Sequence, residues 1–143
     1  MSDKTQKQMA KMVDAVQPYC DEPIIAAMTC SHAGATQSAI FGGSVSGFGK
    51  KPSSLPSPVF LAVGADTVYA FKYAPRGFKF KIKDEVARWP KDSLHLAFEK
   101  SKTMANFVLT TASGESHHLE VTILMGAEAL VDMFFKAITD SQA

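Results

Sequence analysis

The side chains that could do chemistry are few and scattered. Cys30 and His32 stand two apart and share a strand face, the beginning of a metal pair, but no second pair stands at a usable spacing. His117 and His118 are strand neighbours and point to opposite faces, so they cannot chelate together. Gly49-Lys50 is followed by Lys51 in place of Ser or Thr, and Pro52 forbids the helix a phosphate loop requires. Gly47-Phe48-Gly49 lacks the third glycine of a dinucleotide fingerprint. Neither cysteine has a base near it in sequence, and the serines and histidines do not assemble into a triad. No catalytic residue, cofactor or metal site is expected, and the chain reads as a non-enzyme.

What remains is charge. From Lys50 to Lys83 the basic residues are Lys50, Lys51, Lys72, Arg76, Lys79, Lys81 and Lys83, and the only acid is Asp66. That segment carries +6 in a chain of formal charge +1, leaving −5 elsewhere. These seven cations are the candidate contacts for an anionic surface or a partner. Arg88 and Lys91 flank Trp89, but a lone Trp before Pro90 is better explained as a packing plug at a sheet corner than as a base-stacking platform. No nucleic acid is expected as a partner.

The element that positions most of these cations is a predicted hairpin. Tyr69, Phe71 and Tyr73 alternate with Val68, Ala70 and Lys72; after Ala74-Pro75-Arg76-Gly77, Phe78, Phe80 and Ile82 alternate with Lys79, Lys81 and Lys83. Period two marks a strand with one buried and one wet face. A four-residue loop would set Tyr73 against Phe78, Phe71 against Phe80 and Tyr69 against Ile82. The same register sets Lys72 against Lys79, a like-charge pair that destabilises a sheet, with no acid in the hairpin to offset it. Such a broken rule suggests a binding face. The plainer reading is a solvated face guarding an edge strand.

The remaining elements follow in order. Residues 3–16 read as an amphipathic helix with Met9, Met12, Val13 and Val16 on one side, Asp3 as cap, Gln6 as its capping-box partner and Pro18 as terminator. Ile24 to Cys30 and Val59 to Val63 are continuous apolar runs, consistent with strands buried on both faces. Either the N-terminal helix or another copy of the protein must cover the second face, which is the ground for expecting self-association. Residues 33–57 form a long Gly/Ser/Pro-rich loop whose apolar members include Ile40, Phe41 and Phe48, candidate contacts for a membrane or partner. Alternation then predicts strands at 93–99, 104–111 and 116–123, with a turn at Ser113-Gly114-Glu115, and an apolar stripe predicts a helix over 126–139.

Length suits one domain, divided as an N-terminal helix (1–19) and a body (20–143). Two cysteines make no disulfide framework, and no signal peptide or membrane-length apolar run is evident. The expected location is the cytoplasm, with reduced thiols.

Seven antiparallel strands closed by a C-terminal helix resemble the pleckstrin-homology superfold, and more specifically the small pleckstrin-homology-like proteins common in actinobacteria. The residues that carry this are Glu22-Pro23-Ile24-Ile25-Ala26-Ala27, the run from Val59 to Phe71, Ala87-Arg88-Trp89-Pro90-Lys91 and Ser113-Gly114-Glu115. The resemblance covers residues 20 to 140. It implies a mainly β (α+β) barrel or sandwich of two orthogonal sheets, the C-terminal helix plugging one end, and a binding or scaffold role. In lipid-binding members, cations around the loop of the first two strands meet phosphorylated headgroups; here that loop ends in Lys50-Lys51, set before Pro52 and not on a strand, and Lys72 follows. The expected function is a protein-interaction or self-assembly module. The alternative is peripheral binding to anionic membrane lipids through the basic hairpin 72–83, and a carrier or enzyme with an apolar pocket has least support.

Overall fold

The computed structural model describes residues 3–32, 55, 58–76, 79–101, 103–123 and 128–139. Helix α1 spans Asp3–Val16 and runs into a 3₁₀ turn at Gln17–Tyr19. Seven strands follow: β1 (Ile24–His32), β2 (Val59–Gly64), β3 (Thr67–Arg76), β4 (Lys79–Pro90), β5 (His95–Lys100), β6 (Met104–Thr110) and β7 (Ser116–Thr122). Helix α2, Glu128–Thr139, comes last. All strand pairs are antiparallel, in the order β4-β3-β2-β1-β7-β6-β5. Among the described residues the architecture is mainly β, a seven-stranded antiparallel sheet with helix α1 before it and helix α2 after it in the chain.

Strand β1 belongs to two ladders. It pairs with β2 from Ile24 to Cys30 and with β7 through Ser31 and His32. The β2 strand is buried along its whole length, as its apolar run predicts. Val59, Leu61 and Val63 face an inner core shared with β6, β7 and α2; Phe60 and Ala62 face an outer cluster with Val16, Tyr69 and Phe71. Met12 and Val13 of α1 pack on that outer cluster. The second face is therefore closed by this chain's own helix, and the apolar runs no longer call for a second copy. Ile25 departs from the expectation of burial: a bulge between Ile24 and Ala26 turns it outward, 49% exposed.

The junction between α1 and β1 is tied by side chains. Gln17 accepts from the Ile24 amide at 2.8 Å and donates to the Glu22 carbonyl at 2.9 Å. The Glu22 carboxylate accepts from the Asp66 amide at 3.2 Å, clamping the β2–β3 turn. It lies over Gly64, where a Cβ would come within 2.5 Å of its oxygen. From the other side the buried Lys91 ammonium donates to the Gly64 carbonyl at 3.0 Å.

The hairpin register differs from the expected one. Strands β3 and β4 continue to Arg76↔Lys79, Tyr73 pairs with Ile82, and Phe80 with Pro75. Tyr69 faces Arg88 and Phe71 faces Glu85, because the ladder closes at Arg76↔Lys79 and irregularities between Ala70 and Tyr73 shift it further. Strand β4 also runs on through Asp84 and Glu85 to Pro90, so the hairpin does contain acids. Pro90 pairs with Thr67 at its end, on an edge strand where a missing amide is tolerated. The turn at Ser113–Glu115 forms as expected, with Gly114 at φ +90° and its amide bonded to the Thr111 carbonyl.

Phe60 is fully buried between α1, β1 and β3 and contacts the Tyr73 and Phe80 rings edge-on at 5.4 and 5.2 Å. Phe60→Ala is expected to lower unfolding free energy by about 3–5 kcal/mol, read from the urea midpoint. A loss under about 1 kcal/mol would mean that α1 does not hold the outer face closed.

Candidate binding surfaces

The basic residues are only partly brought together. Lys72, Lys81 and Lys83 are exposed. Strand alternation puts Lys81 and Lys83 on the face opposite Ile82, which packs in the outer cluster under α1. Lys72 does not face Lys79; its ladder partner on β2 is Val59. In the backbone register the residue opposite Lys79 is Arg76, four positions along β3 from Lys72. The side chains of Arg76 and Lys79 lie outside the described residues, as do Lys50, Lys51, Ile40, Phe41 and Phe48. Among the described residues no carboxylate is within ion-pair distance of Lys72, Lys81 or Lys83. Strand β4 is also a sheet edge, where lysines discourage edge-to-edge pairing.

Arg88, by contrast, is fully engaged. It donates to Glu85 at 2.7 Å and to Asp21 at 2.8 Å, and its guanidinium sits 4.9 Å from the Tyr69 ring centre. The two carboxylates push its pKa up. Trp89 packs against the inner core with its ring 5.3 Å from that of His117, in keeping with a plug.

A cleft of about 520 Å³ opens where β1 parts from β7, beneath both helices. Its apolar lining includes Met12, Met28, Phe80 and Leu130; its polar lining includes Lys11, Thr29 and Glu120. Glu120 is 3% exposed although strand alternation assigns it to the wet face with His118 and Thr122. Sequence reasoning missed this because Glu120 pairs with Ser31 of β1, a neighbour almost ninety positions away that leaves no local pattern. It also passed over Lys4, Lys7 and Lys11, whose helical spacing was visible. These three and Gln8 line a separate open hollow of about 390 Å³ along α1.

The thiols are not poised for reaction. Burial pushes Cys30 well above the usual thiol range, and burial with the nearby Glu85 raises Cys20 to about 11. Cys20 donates to the Val16 carbonyl at 3.3 Å, and His32 bonds the Leu55 carbonyl through Nε2. Among the described residues no three His, Cys, Asp or Glu side chains converge as a metal site, and no helix is long and apolar enough to cross a membrane.

With this geometry in place, comparison adds little. No family model matches the chain, and no curated protein is similar to it in sequence. Among solved structures it is similar to one of Vav1, described as inhibited by an allosteric inhibitor, with Vav1 inhibitors blocking GEF activity. Identity is 12% and the TM-score 0.46; the match covers 95% of this chain, which spans 34% of that one.

His117 is fully buried, its Nε2 2.8 Å from a Glu115 carboxylate oxygen. Burial, the largest influence, pushes its pKa below the ordinary 6.5, against the opposing pull of Glu115. The folded chain then binds fewer protons than the unfolded chain. This contribution to stability is complete above the unfolded value and is lost as pH falls from about 6.5 through the folded value. The urea midpoint is expected to drop between about pH 7.5 and about pH 5, and to drop less in His117→Phe. Equal pH dependence in both proteins would remove His117 as the source.

Proposed function

We propose that the protein is a non-enzymatic interaction module whose basic β3–β4 hairpin docks on an anionic membrane surface. One observation carries this reading: Lys72, Lys81 and Lys83 are exposed cations with no acid within ion-pair distance among the described residues. The like-charge backbone pairing Arg76↔Lys79 extends the array toward the hairpin end. A sheet does not gain from such an arrangement on its own, and an anionic surface relieves the repulsion. Each cation near such a surface contributes about 1 kcal/mol, so three give about 3 kcal/mol, a weak and salt-sensitive attachment. A second signal is needed for stable anchoring, and the apolar residues Ile40, Phe41 and Phe48 of the 33–57 segment are the candidates.

Flotation with anionic and neutral vesicles at low and physiological salt tests this. Binding to anionic vesicles alone is expected, weakening with salt. The triple variant Lys72→Glu, Lys81→Glu, Lys83→Glu keeps charges on the edge strand, so edge protection survives, while vesicle affinity should fall about 100-fold or more. No flotation at low salt, or flotation unchanged by charge reversal, would leave these lysines as edge guards and turn the search to acidic protein partners.

A further inference from the structure

Helix α1 places Lys4, Lys7 and Lys11 on its exposed side. Cations in the first half of a helix oppose its dipole, and like charges three or four residues apart repel. Asp14, three residues beyond Lys11, is the acid of the same stripe. Among the described residues Lys4 and Lys7 have no carboxylate within ion-pair distance. With Gln8 and Lys11 they line the open hollow, and Gln8 and Lys11 also line the 520 Å³ cleft. A cationic hollow thus adjoins a partly apolar cleft of a size that holds small ligands.

We propose that hollow and cleft together bind a single-chain anionic amphiphile, its head on Lys4 and Lys7 and its alkyl chain in the cleft. Met12 and Met28 supply adaptable walls suited to a flexible chain, and Phe80 and Leu130 add apolar surface. This site uses none of the hairpin lysines and stands or falls apart from the membrane reading.

The test is titration of the full chain with dodecanoate below its micelle concentration, read by native mass spectrometry and thermal shift, beside dodecylamine and butyrate. One dodecanoate per chain is expected, saturably, with little binding of the amine or of butyrate. Lys4→Gln with Lys7→Gln, both exposed, should weaken binding about tenfold without lowering the unliganded melting temperature. Thr122→Tyr, an exposed strand position on the cleft wall, should weaken it at least as much by filling the cleft. Absence of saturable binding would overturn the proposal. So would equal binding of dodecylamine, equal binding of butyrate, or full affinity in the lysine double variant, whatever the fate of Thr122→Tyr.

Discussion

A strand that is apolar on both faces cannot stand at the surface of a molecule. In this chain that strand is β2, flanked by β1 and β3, and the requirement to cover both of its sides shapes the rest. One side is met by the β5–β7 meander and α2, whose Phe134 and Ile138 are fully buried. The other is met by α1, held against the sheet by Val16 and Met12 and tied at its exit by Gln17 and Glu22. The N-terminal helix is therefore as much a part of the fold as the strands.

Most of this was legible. Period-two alternation located the strands, helical spacing located both helices, and the turn at Gly114 followed from its residue types. In α2 Phe135 is buried beside Phe134 and stacks on Phe98 at 4.4 Å. What alternation could not supply was register. The hairpin slipped because the strands pair through Arg76↔Lys79 and the ladder is irregular near Phe71, and neither leaves a trace in composition. The slip also matters for charge: it moves the facing cations from Lys72 and Lys79 to Arg76 and Lys79, and it brings Asp84 and Glu85 into the same strand.

The two surfaces were legible to different degrees. The hairpin lysines were plain in the sequence, since strand spacing exposes them whatever the register. The cleft was not, because its lining comes from four strands, α1 and α2, and Glu120 reads locally as a solvated residue. Arg88 lies between these cases. Its partners Glu85 and Asp21 are three and sixty-seven positions away, so only the first is a local neighbour. Its contacts consume a cation that composition alone would count toward a binding face.

The double membership of β1 divides the chain in time as well as in space. Residues 3–90 contain everything needed to pair β1 through β4 and lay α1 across them, using contacts that are mostly local hairpins. The β5–β7 meander is a second run of local pairings. Among the described residues the direct ladder between them is two residue pairs, Ser31↔Glu120 and His32↔Leu119, almost ninety positions apart in sequence. Loop closure over that distance comes late for entropic reasons, so the halves can form separately before they meet. The same seam, with so few backbone bonds across it, is where amide exchange through partial opening would be concentrated in the folded molecule.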